Sequence, residues 1–212
     1  MTIGNLFGNI IIAEIVRSLR EGDMVSAKSL LYGDILNQEG GRMTKEFPKR
    51  LLKIYECVYS FPRVVLIYRI IDRVAVALSA LIFFVSVYFA FCRGLTDGVE
   101  LLLLAAIPFV LVSMMRALIK APRPYELVDF SRFSQKPPHY KQGSSFPSRH
   151  VFCAFLIAVL AFEYSWQLGV LALDLGLTLA LLRVVLGIHF PKDVVCGAII
   201  GVASGVVGIL IL

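Results

Sequence analysis

From residue 74 onward the chain alternates long apolar stretches with short polar ones. Residues 74–91 are eighteen positions without a charge. As a helix rising about 1.5 Å per residue they cover most of a hydrocarbon core of roughly 30 Å. The same pattern predicts spans over residues 99–119, 151–164, 168–186 and 194–212. Turns at 92–98 and 165–167, a loop at 187–193 and one long polar segment at 120–150 join them. The expected fold is all-α, a polytopic transmembrane helical bundle of about five spans. Counting crossings brings 1–73, 120–150 and 187–193 to one end of it, and the two turns and the C-terminus to the other.

Residues 1–73 read differently. The chain is expected to divide into a basic amphipathic N-terminal region, 1–73, and a transmembrane domain, 74–212. The apolar run 3–16 is broken by Gly4, Asn5, Gly8, Asn9 and Glu14 and is too short for a signal sequence with its cleavage site, so it reads as an interfacial helix. Lys49, Arg50 and Lys53 stand beside Leu51, Leu52, Ile54 and Tyr55. That basic amphipathic helix suits either a lipid surface or a place packed on the membrane domain.

Composition agrees with the pattern. The chain is 58% hydrophobic and 17% charged, whereas a soluble domain carries about a quarter charged residues. It is read as an integral membrane protein. The net charge of +6 suits anionic lipid head groups better than nucleic acid in so apolar a chain, and no nucleic-acid partner is expected. Cys57, Cys92, Cys153 and Cys196 are widely spaced without a CxxC pair, so neither a disulfide framework nor a zinc cluster is expected. Eleven Lys and Arg residues lie in 1–73, against Arg93 alone on the opposite loops. By the positive-inside rule the polar-loop end faces the cytoplasm.

That end carries the candidate chemistry. The polar patch Ser144-Ser145-Phe146-Pro147-Ser148-Arg149-His150 stops abruptly at the apolar run from Val151. A Pro-Ser pair before a long helix is a start signal, and the first-turn N–H groups of that helix form an anion site. His150 adds a proton carrier that titrates near neutrality, and Arg149 and Arg123 add fixed charge for phosphate oxygens. Two further clusters share the end: Arg116, Lys120, Arg123 and Pro124, and Arg183, His189 and Asp193. Together they point to phosphate handling at a membrane surface.

These clusters, in this order and each at a span boundary, closely resemble the type 2 phosphatidic acid phosphatase (PAP2) superfamily. Its pattern is Lys-x6-Arg-Pro, then Pro-Ser-Gly-His, then Ser-Arg-x5-His-x3-Asp. Arg123, Pro124, Pro147, Ser148, His150, Arg183, His189 and Asp193 match it, while Arg116 stands at the lysine position, Arg149 at the glycine and Leu182 at the serine. The resemblance implies metal-independent hydrolysis of a lipid phosphate or diphosphate through a phosphohistidine. Candidate substrates are phosphatidate, phosphatidylglycerol phosphate and polyprenyl diphosphates. His189 is the expected nucleophile, with Asp193 behind its ring and His150 as general acid and then base. Arg116, Arg123, Ser148, Arg149 and Arg183 form the expected phosphate cradle; Lys120, outside the motif register, reads either as a steering charge for the head group or as part of a solvated loop face. The arginines supply the charge that Mg²⁺ supplies elsewhere, so no metal or cofactor is expected.

The resemblance implies a bacterial cell membrane and an extracytoplasmic site, which opposes the charge count. Two other readings stay open: a phosphotransferase that passes the phosphoryl group to another acceptor, and a non-catalytic phospholipid-binding scaffold. Oligomeric state is not legible. Outside the motifs, His139 reads as a loop residue, and Lys136 and Lys141 as steering charges or a solvated face. Asp174 is costly in lipid and is expected to face the bundle interior. Gly197, Gly201, Gly205 and Gly208 form a small-residue stripe that lets helices approach closely.

Overall fold

The computed structural model describes residues 49–128 and 143–211. The chain divides into two compact units, Met1–Leu52 and Lys53–Leu212, and the architecture below is that of the second. The interfacial helix expected over 3–16 lies outside the described residues, as do Lys136, His139 and Lys141.

Among the described residues every regular element is an α-helix. They are α1 (Lys49–Tyr59), α2 (Pro62–Arg93), α3 (Leu95–Ile119), the single turn α4 (Pro124–Leu127), α5 (Arg149–Phe162), α6 (Trp166–Val185) and α7 (Pro191–Ile211). Four of these are long and apolar enough to cross a membrane, and α5 is a fifth, shorter apolar helix. The bundle of about five spans is therefore present.

The helix that carries the first expected span begins before residue 74. Pro62 opens α2, where its missing N–H costs nothing. The helix then runs unbroken through Arg69, Asp72 and Arg73. Its buried residues, Val65, Asp72, Ala75, Ser79, Ile82, Ser86 and Ala90, recur every three or four positions and so lie on one stripe. The Ser79 and Ser86 hydroxyls donate to the carbonyls of Ala75 and Ile82 at 2.8 and 3.0 Å, which satisfies them inside the bundle. Leu66, Phe84 and Tyr88 on the other faces are exposed, as lipid contact requires.

At 14 residues, α5 is about 21 Å long. It occupies the centre, packed by α2, α3, α6 and α7. Val151, Phe152, Ala154, Phe155, Leu156, Ala158, Leu160 and Ala161 are all buried. The glycine stripe on α7 explains how the backbones come so close. A Cβ on Gly201 would stand 2.5 Å from the Phe152 carbonyl oxygen, and one on Gly197 would stand 2.6 Å from that of Ser148.

One expectation fails. Asp174 is exposed on α6, not turned inward. The inward stripe of α6 is taken by Gly169, Ala172, Leu175, Gly176 and Leu179, which are buried. Asp174, two residues beyond Ala172, falls on the opposite side of the helical wheel and faces out.

The two ends of the bundle differ as the crossing count requires. At one end Arg93 donates to the Glu163 carbonyl at 3.0 Å and lies 4.6 Å from the centre of the Tyr164 ring, joining the two short turns. At the other end the Tyr59 hydroxyl donates to the Leu186 carbonyl at 3.0 Å, which packs α1 on the bundle through a buried tyrosine.

Close backbone approach gives a graded prediction. Gly201→Ala meets rigid backbone, whereas a Cβ on Gly208 meets only the Leu104 side chain. Gly201→Ala is expected to lose about 1–3 kcal/mol, the usual cost of overpacking. Gly208→Ala should lose less, and thermal unfolding in detergent measures both.

Candidate active site

The polar end is built from the ends of α3, α5, α6 and α7 and the segment 143–148. Arg116, in the last turn of α3, donates through Nη1 to the Pro147 carbonyl and through Nη2 to the Ser144 carbonyl. A planar fork suits this two-carbonyl clamp, whereas the compact ammonium of a lysine presents no such fork. Arg123 donates to the same Ser144 oxygen at 3.3 Å, and the Ser145 N–H pairs with the Ala121 carbonyl at 2.9 Å. Glu126 accepts from the Gly143 N–H at 3.1 Å. The segment before α5 is thus tied along its length to the residues that follow α3.

The third cluster closes the end from the other side. Pro191 opens α7, and the Asp193 carboxylate accepts from the Phe190 N–H at 3.0 Å, capping the helix from within its first turn. The Asp193 carbonyl also accepts from the Ser148 N–H at 2.9 Å, which joins α7 to the start of α5. The Arg183 carbonyl receives both the Ile188 and His189 N–H groups at 3.0 Å, so the 186–190 loop folds back on the end of α6. Gly187, at φ 66, supplies the left-handed turn this needs.

Asp193 lies behind the ring of His189, but not in direct hydrogen-bond contact. His189 Nδ1 stands 3.7 Å from Asp193 Oδ2. Ser145 lies between them: its hydroxyl donates to that Oδ2, and its oxygen is 3.3 Å from Nδ1. Since the Ser145 proton goes to Asp193, the serine oxygen accepts from Nδ1–H. His189 is then the tautomer whose lone pair is on Nε2. Burial pushes its pKa down to about 4 against the pull of Asp193, and Arg123 and Arg183 add to the push. The ring is neutral near pH 7.

A cavity of about 710 Å³ opens beside these groups, lined by Arg116, Lys120, Arg123, Arg149, His150 and Arg183. Arg149 lies 5.5 Å from the centre of the Phe109 ring, which supports its cation at the apolar edge. His150 feels the charges of Arg183, Arg149 and Arg116 and the ring of His189. The Ser148 hydroxyl is fully buried and has no hydrogen-bond partner among the described residues. His189 is 1% exposed and stands behind the cavity wall.

The profile of the PAP2 superfamily matches residues 97–212, more than half of the chain. The chain belongs to the PAP2 superfamily. Over 61 residues it is 39% identical to the bacitracin transport permease protein BcrC of Bacillus licheniformis. That match covers 29% of this chain and 30% of BcrC, so the chain matches less than a third of that relative's length. Its fold resembles the crystal structure of Aquifex aeolicus LpxE, with TM-score 0.55, 20% identity and coverage of 80% of this chain and 99% of that one. It also resembles a transmembrane PAP2 type phosphatidylglycerolphosphate phosphatase from Bacillus subtilis, with TM-score 0.62, 18% identity and coverage of 93% and 95%. At these identities the likeness is one of fold.

All the motif residues that link this chain to the PAP2 superfamily meet at one end of the bundle. Two residues there take roles that the sequence pattern does not assign. Ser145 stands in the polar patch before α5, with no periodic or motif signal of its own. Asp72 forms an ion pair with Arg183, Nε to Oδ1 2.9 Å, with side chains 3% and 7% exposed. Its signal was a carboxylate inside a spanning helix, hidden by starting the first span at residue 74.

The low pKa of His189 sets a pH dependence. An unfolded histidine takes its proton near 6.5, while the folded one waits until about 4. Stability is therefore unaffected above about 6.5 and falls below it, by about 1.4 kcal/mol per pH unit, until the folded ring also protonates. Unfolding measured between pH 7 and pH 5 should show this slope, and His189→Leu should remove that share of it.

Proposed function

We propose that the protein is a lipid phosphatase acting through a phosphohistidine. The observation that carries this reading is the bridge from His189 Nδ1 through Ser145 to Asp193, beside a cavity lined by four arginines and His150. With Nδ1 engaged, Nε2 is the nitrogen that attacks phosphorus, and the bond from phosphorus to the lipid oxygen breaks. His150 gives its proton to that leaving oxygen. It then takes a proton from the water that attacks the phosphohistidine, releasing orthophosphate and restoring neutral His189. Asp193, through Ser145, stabilises the imidazolium character that develops on the ring.

Arg123, Arg149 and Arg183 hold the equatorial oxygens in the cavity. The Ser148 hydroxyl and the first N–H groups of α5 complete the cradle. Arg116 adds its charge while clamping the turn, and Lys120, exposed at the cavity mouth, steers the anionic head group. The substrate class is a phosphate monoester or diphosphate with its tail in the bilayer: phosphatidate, phosphatidylglycerol phosphate or a polyprenyl diphosphate. The name of the Bacillus subtilis neighbour favours the second of these. The seclusion of His189 favours one other reading, a phospholipid-binding scaffold without turnover.

Detergent-purified protein should release phosphate from at least one of the three lipids with EDTA present, and His189→Ala should abolish release. Ser145→Ala should lower kcat by about tenfold or more, as expected when a buried hydrogen bond to the reacting group is lost. Tight lipid binding with no release from any lipid would establish the scaffold instead.

We propose that the site end faces the cytoplasm, on the excess of Lys and Arg in residues 1–73 and against the family analogy. Cys57 and Cys92 are free and exposed, near opposite ends of the bundle. A membrane-impermeant maleimide added to intact cells should label Cys92 and spare Cys57, and the reverse pattern would put the site outside.

A further inference from the structure

Arg183 carries two duties. Its guanidinium lines the anion cavity, and its carbonyl receives the backbone N–H groups of Ile188 and His189 at 3.0 Å. Whatever holds this residue therefore holds both a cation of the cavity and the loop that presents His189. On the cavity wall it is one of four guanidiniums, with Arg116, Arg123 and Arg149. Like charges gathered on one cavity wall repel, and an arginine side chain is long and flexible. Left to itself, Arg183 would lean away toward water.

The restraint comes from a different part of the chain. Asp72 lies on the buried stripe of α2, outside the stretch that matches the PAP2 superfamily profile. Its Oδ1 engages Arg183 Nε at 2.9 Å, with both side chains almost wholly buried. Arg73, the next residue, is exposed, so the carboxylate is directed at Arg183 by the register of the helix. One turn further along, the stripe becomes Ala75, Ser79 and Ile82. Asp72 is thus the carboxylate on the buried stripe of α2, and it meets Arg183, the buried charge at the inner end of α6.

We propose that Asp72 is a positioning residue: its buried ion pair holds the Arg183 guanidinium at the wall of the anion cavity and, through Arg183, steadies the loop that carries His189. This rests on reading the cavity as a phosphate site. It adds a functional residue from a helix that the motifs do not reach. Removing the carboxylate charge takes this ion pair from a buried arginine, and the guanidinium then shifts from the position it holds at the cavity wall.

The test is a double-mutant cycle in the intact detergent-purified protein. Asp72→Asn, Arg183→Gln and the double variant are compared with wild type, and Asp72→Glu serves as the conservative variant. Ser86→Ala, on the same buried stripe but far from the cavity, controls for simple loosening of α2. Two readouts are taken: kcat and KM for phosphatidate, and the rise in unfolding temperature that inorganic phosphate produces.

Asp72→Asn should lower kcat/KM by about tenfold or more in the wild-type background and cause no further loss in the Arg183→Gln background, as contacting charges do. It should also weaken stabilisation by inorganic phosphate, whereas Ser86→Ala should not. Asp72→Glu should recover part of both. Equal losses in the two backgrounds, or unchanged phosphate stabilisation in Asp72→Asn, would overturn the proposal. If wild type turns over no lipid, the phosphatase reading fails and phosphate stabilisation alone decides the role of Asp72. If phosphate does not stabilise wild type either, both fail. Should Asp72→Asn not fold, Asp72→Glu in the two backgrounds decides by the same criterion.

Discussion

Four guanidinium groups meet at one end of an apolar bundle, and their mutual repulsion is the constraint that the surrounding structure answers. Each has a different restraint. Arg116 is pinned by two carbonyls of the 144–147 turn. Arg123 shares the Ser144 carbonyl and lies 5.9 Å from the centre of the Tyr125 ring. Arg149 rests on Phe109, and Arg183 is matched by Asp72. With these four guanidiniums and Lys120 on its wall against the one lining carboxylate, Glu126, and with Asp72 behind Arg183, the cavity keeps a positive potential. Such a potential favours an anion with several oxygens, and its strength comes from the low dielectric around it.

The same restraints shape the chain. The 144–147 turn exists in its folded form because Arg116 gathers its carbonyls, and the turn in turn delivers Ser145 to Asp193. Gly197 lets α7 lie against the Ser148 carbonyl, which brings the Asp193 carbonyl to the Ser148 N–H. A Cβ at residue 197 would stand 2.6 Å from the Ser148 carbonyl oxygen, too close for this packing of the two helices. Packing in the membrane and chemistry at its edge are therefore coupled through a few backbone contacts, and α5, packed by four other helices, is where they meet.

Much of the fold was open to reading because lipid imposes simple rules. Backbone groups must be satisfied within the segment, so each long apolar stretch becomes a helix. The spans expected from residues 99, 151, 168 and 194 correspond to α3, α5, α6 and α7 within a few residues. The helix carrying the span expected from residue 74 starts at Pro62 and continues through Arg69, Asp72 and Arg73, which look like a boundary in one dimension. In three dimensions Asp72 is neutralised by a partner more than a hundred residues away. Asp174 failed for the opposite reason: expense in lipid argued for burial, but the inward stripe of α6 was already filled by residues that fit closely against α5.

The sequence by itself determined the class of the protein, the number and order of its apolar helices, and the set of histidines, arginines and aspartate that share one end. Those follow from hydropathy and spacing, which are properties of neighbours along the chain. Only the tertiary structure decided how these groups divide the work. It inserted Ser145 between His189 and Asp193, turned Arg116 into a clamp, and drew Asp72 from α2 to Arg183. Each of these is a contact between residues far apart in sequence. Its existence depends on the distance and angle between packed helices, which no local pattern encodes.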